Sequence, residues 1–62
     1  MGIYDLVKVI KCDDEEFIEA VGIIKKVHYD NLYELLFVGE YLNNKSIKLG
    51  RLLFRENELE GI

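Results

Sequence analysis

The chain has 62 residues, 50% of them apolar, 11% aromatic and 32% charged, with eight bases against twelve acids for a net charge of −4. That composition fits one globular domain over residues 1–62 and excludes a disordered tail, although a folded chain of this length buries only about 60% of the surface it exposes when unfolded. With no apolar run near the roughly 18 to 20 residues of a membrane span, no basic-then-apolar leader and a lone cysteine, Cys12, the expectation is a cytoplasmic protein without membrane contact, disulfide, metal or cofactor.

The first element is a strand from Leu6 to Lys11, where Val7 and Val9 share one face and Lys8 takes the other. Asp13, Asp14, Glu15, Glu16 and Glu19 then place five negative charges in seven residues. Without the alternating ligands and central glycine of a calcium loop, this run reads as a solvated loop or a contact surface for a basic partner. Asp13 or Asp14 can cap a single helical turn there, with Phe17, Ile18 and Val21 at helical spacing. Val21 to Val27 predicts a second strand in which Gly22 marks a bulge, a bend or a close backbone approach. The Asp30–Asn31 pair supplies a turn, and Leu32 to Val38 is the strongest strand signal, so the second and third strands should form a hairpin. Its alternation puts Tyr33, Leu35 and Phe37 towards a core and Leu36 and Val38 on the opposite side. Something must cover that second apolar face: the acidic loop folding over with Phe17 and Ile18, or another molecule.

Beyond Gly39, Asn43-Asn44-Lys45 reads as a turn, and Ser46 to Phe54 as one bent strand or two short ones around Gly50. The end reads as a strand, a tight turn and a brief closing strand anchored by Leu59, with Ile62 as a further anchor. The fold class expected is therefore all-β: a small barrel of about five short strands with one helical turn in its first loop.

Asp5-Leu6-Val7-Lys8-Val9-Ile10, Val21-Gly22-Ile23-Ile24, Tyr33-Glu34-Leu35-Leu36-Phe37 and Leu53-Phe54 with Glu58-Leu59 follow a rhythm that resembles the SH3-like small β-barrels. Within that group the chain is similar to KOW-type ribosomal and transcription-factor modules, to small accessory proteins of photosynthetic electron transport and to a family of short uncharacterised bacterial proteins. The resemblance implies a small binding module and no particular activity. A KOW-type RNA binder would be basic, which makes nucleic acid the second reading here. A signalling SH3 domain would show a tryptophan, which this chain lacks.

An enzyme is not expected, because a barrel this small fills its interior with side chains and no third group orients Cys12 and His28 as a pair. The function expected is protein–protein interaction, with a partner protein or a second copy of the chain, in a regulatory or inhibitory accessory role. Its contact residues would be Leu36, Val38, Tyr41 and Leu52, with Asp13, Asp14, Glu15 and Glu16 as the electrostatic surround. The alternative is a nucleic-acid or ribonucleoprotein accessory module using Lys25, Lys26, His28 and Arg51, with Tyr4, Tyr29, Tyr33 and Tyr41 as stacking rings.

Overall fold

Alternating side chains build the centre of the sheet. In the computed structural model, which describes residues 1–51 and 53–62, the strands Leu6–Val9 (β1), Val21–His28 (β2) and Leu32–Phe37 (β3) pair as antiparallel neighbours. Leu53–Arg55 (β4) joins β3 and Leu59–Gly61 (β5) joins β1, giving the order β4-β3-β2-β1-β5. Val7, Val9, Ile24, Tyr33, Leu35, Phe37, Phe54 and Leu59 line one face and are buried, whereas Leu6 and Leu36 on the other face are exposed.

The local signals act as the residue types dictate. Asp14 caps a single 3-10 turn over Glu15–Phe17, its carboxylate accepting the Glu16 N–H at 3.0 Å. Asp30 and Asn31 turn β2 into β3 with φ of 58° and 56°, a left-handed conformation their short polar side chains tolerate. Gly22 is a close approach: a Cβ there would stand 2.9 Å from the Leu36 carbonyl oxygen on β3. The bulge in that hairpin falls instead between Ile24 and Lys26. Another 3-10 turn, Glu56–Glu58, separates β4 from β5 where a tight turn was expected, and Leu59 is buried while Ile62 lies in the open.

The region after Gly39 departs from the sequence reading, and the protein is mixed α and β, not all-β. Residues Glu40–Leu49 form a helix (α1) where a turn and a bent strand were expected. Its ends carry helix chemistry: Gly39 at the N-cap with φ of 100°, Glu40 in the first turn, Lys48 in the last, and Gly50 at φ 72° donating its N–H to the Ile47 and Ser46 carbonyls. The misleading feature is its periodicity. The helix turns Leu42, Lys45 and Ser46 inward, while Ile47 and Leu49, spaced two apart like strand residues, point to solvent at 70% and 58% exposure.

Asn43, read as a turn residue, acts as a side-chain extension of the sheet. Its Oδ1 accepts the Phe37 N–H at 2.7 Å and its Nδ2 donates to the Phe37 carbonyl at 2.8 Å, so the end of β3 is satisfied where β4 does not reach. Buried Ser46 donates to the Arg51 carbonyl and ties the helix exit to the start of β4. Among the described residues the sheet is not closed into a barrel: β4 and β5 remain its two edges.

Candidate functional site

The acidic loop decides which face of the sheet stays open. Phe17 is fully buried on the core side, its ring centre 5.4 Å from Phe37 and 6.1 Å from Phe54, and Cys12 and Ala20 pack against the same core. The loop is held there by α1. Lys45 Nζ lies 3.0 Å from Asp14 Oδ2 and 2.5 Å from Glu16 Oε1, and the Tyr41 hydroxyl donates to Glu16 Oε2 at 2.7 Å. Hydrogen bonds from Lys45 hold both carboxyls below their ordinary range, the bond to Glu16 raises Tyr41, and the two carboxylates raise Lys45. Having committed Phe17 to the core, the loop leaves the Leu36 face uncovered.

Strand register assembles that outer face into two rows. Leu36 stands opposite Ile23 and Ile23 opposite Leu6, and Ile62, whose N–H donates to the Leu6 carbonyl, carries the row on to β5. In the second row the Val38 N–H donates to the Val21 carbonyl, Val21 faces Lys8, and Lys8 faces Glu60 at 3.6 Å between charged atoms. Leu6 and Leu36 are each 47% exposed, Val38 69% and Ile62 72%. A polar border follows on β2 and β3. Glu34 accepts from His28 Nε2 at 2.9 Å and from Lys25 Nζ at 3.2 Å, with Lys26 opposite it in register. The His28 hydrogen bond first, and Lys25 second, hold the Glu34 carboxyl below its ordinary range.

The expected contact residues therefore separate. Leu36 and Val38 lie together in the open rows. Tyr41 stands on α1 and serves the acidic loop, Asp14 and Glu16 are engaged by Lys45, and Asp13 and Glu15 are exposed. Leu52 lies outside the described residues. Of the alternative set, Lys25 and His28 converge on Glu34. Arg51 is placed apart from them, its Nη2 2.6 Å from Glu58 and its guanidinium 4.5 Å above the Phe54 ring. Tyr33 is buried, with its hydroxyl donating to Glu56 at 3.3 Å, and Tyr4, Tyr29 and Tyr41 are exposed on separate elements.

Leu6, Val21, Ile23 and Ile62 were not singled out as site residues. Alternation against Val7 and Val9 already assigns Leu6 to the outer side, but the row that joins it to Leu36 exists only through the register of β1, β2 and β3. No helix among the described residues is long and apolar enough to cross a membrane. Comparison with protein-family models, with curated proteins and with solved structures finds no match.

Proposed function

We propose that the chain is a non-catalytic protein–protein interaction module of SH3-like strand order, acting in the cytoplasm by occupancy of its outer sheet face in a regulatory or inhibitory accessory role. The observation that carries this reading is the apolar row Leu36–Ile23–Leu6, widened by Val38 and Val21 in the next row, left open because Phe17 occupies the other side of the sheet. Contiguous exposed aliphatic residues bordered by charge are what interface cores use. The SH3-like part is supported by the order β4-β3-β2-β1-β5 and by the single 3-10 turn before β5. The nucleic-acid reading is weaker, since Lys25 and Arg51 spend their charges on Glu34 and Glu58.

The test compares tagged wild-type and Leu36→Glu proteins in captures from a lysate of the source cell, half of each treated with nuclease. A nuclease-resistant, near-stoichiometric protein should accompany the wild type and be absent from Leu36→Glu, with both showing the same circular dichroism spectrum. A folded Leu36→Glu protein that keeps its partner, or a wild-type capture that nuclease abolishes, overturns the reading.

A further inference from the structure

Charge is distributed unequally between the two sides of the sheet. The border of the outer face carries Lys8, Lys25, Lys26 and Arg55 against Glu34 and Glu60, so of the chain's eight bases and twelve acids the remainder holds four and ten. The face is thus net positive by two and the rest of the molecule net negative by six. Much of that negative charge lies in the acidic loop, which packs on the core side through Phe17. Lys26 makes no ion pair among the described residues, and Lys8 holds only the long, solvent-exposed contact to Glu60.

Shape adds a second constraint. The row Leu36–Ile23–Leu6–Ile62 crosses four adjacent strands, which at about 4.8 Å per strand is a stripe of roughly 14 Å. An α-helix covers that length in about ten residues at 1.5 Å each, presenting anchors at i, i+3 or i+4, and i+7.

We propose that the outer face binds an acidic amphipathic helix of a partner protein, with its apolar stripe laid along Leu36, Ile23 and Leu6 and its carboxylates reaching Lys8 and Lys26. The inference rests on the outer face being the docking surface and adds the chemistry of the occupant. A membrane is disfavoured by the extent of the apolar surface, a single stripe of roughly 14 Å bordered along one side by the Lys8–Glu60 pair, which fits one helix and not a bilayer. A second copy could offer its own acidic loop, where Ile18 is 40% exposed, and would then assemble head to tail.

The experiment titrates isotope-labelled protein with three probes: a 16-residue peptide with leucines at helical spacing and glutamates elsewhere, the same peptide with lysines for the glutamates, and phosphatidylserine vesicles. The acidic peptide should shift the amide signals of Leu6, Ile23 and Leu36. Its affinity should fall at least about tenfold in K8Q/K26Q and several-fold between 50 and 500 mM salt, while that variant's melting temperature stays unchanged. If the lysine peptide binds the same face as tightly, the docking surface stands and the acidic occupant is wrong. The proposal is also overturned if neither peptide binds, if only the vesicles bind, or if the free protein associates with itself through Leu36. The capture comparison with Leu36→Glu then reports separately on the docking surface.

Discussion

Phe17 is fully buried and belongs to a three-ring cluster in which Phe37 and Phe54 also meet, 5.7 Å apart between ring centres. Truncating a buried phenylalanine to alanine costs about 3–5 kcal/mol through lost transfer energy and the cavity left behind. A core in a domain of this size supplies only about 3–5 kcal/mol in total. Phe17→Ala is therefore expected to be largely unfolded in buffer at 25 °C. Phe17→Leu keeps most of the volume, costs less than about 1.5 kcal/mol and should remain folded with a lower urea midpoint. Ile18→Ala, at the neighbouring position with 40% exposure, should move stability by no more than about 0.5 kcal/mol. Urea unfolding followed by far-ultraviolet circular dichroism and by fluorescence of the four tyrosines reads all three variants. Should Phe17→Ala unfold at the wild-type midpoint while Ile18→Ala is strongly destabilised, the loop faces the other way. The open outer face, and everything argued from it, would then be refuted.

Gly22→Ala places a Cβ 2.9 Å from the Leu36 carbonyl oxygen in the central hairpin and should cost about 1–3 kcal/mol, lowering the melting temperature by about 4–8 °C per kcal/mol. Gly61→Ala, which meets nothing within 4 Å and is not among the glycines with positive φ, is its near-neutral control. Asn43→Ala leaves the Phe37 N–H and carbonyl without their side-chain partner; a loss of about 1–3 kcal/mol is expected, with faster hydrogen exchange at the Phe37 amide. Asp14 and Glu16 have depressed folded values, so their contribution is present above the ordinary carboxylate range and is lost as pH falls through it into the folded values. The melting temperature should drop as pH falls below about 4.5, and Lys45→Met should flatten that slope, leaving the parts due to Glu34 and to the hydrogen bonds that Asp14 accepts from the Glu16 N–H and Glu16 from Tyr41. An unchanged slope in Lys45→Met would remove the ion-pair clip from the account.

Sequence alone settled what depends on neighbours along the chain. Val7 and Val9 against Lys8, and Tyr33, Leu35 and Phe37 against Leu36, declared two strands and their two faces, because strand side chains alternate with a period of two. Asp13 or Asp14 as a cap, Asp30-Asn31 as a turn and Gly22 as a bulge, bend or close approach were equally local, each following from what one residue's side chain or missing Cβ permits; the structure chose Asp14 and the close approach. Tertiary structure decided the rest. The segment 40–49 became a helix although its aliphatic residues alternate. Gly39 and Gly50 end it, and its inward contacts are made by Leu42, Lys45, Ser46 and Asn43, groups whose value depends on partners distant in sequence. The choice between Phe17 and an outside molecule as the cover of the Leu36 face was open for the same reason. An acidic loop can fold over either side of a sheet, and the placement of Lys45 and Tyr41 on α1 drew it to the core side. Leu36 and Val38 were legible as a second apolar face. Their union with Ile23, Leu6 and Ile62 under a basic border required strand register, which a single strand does not contain.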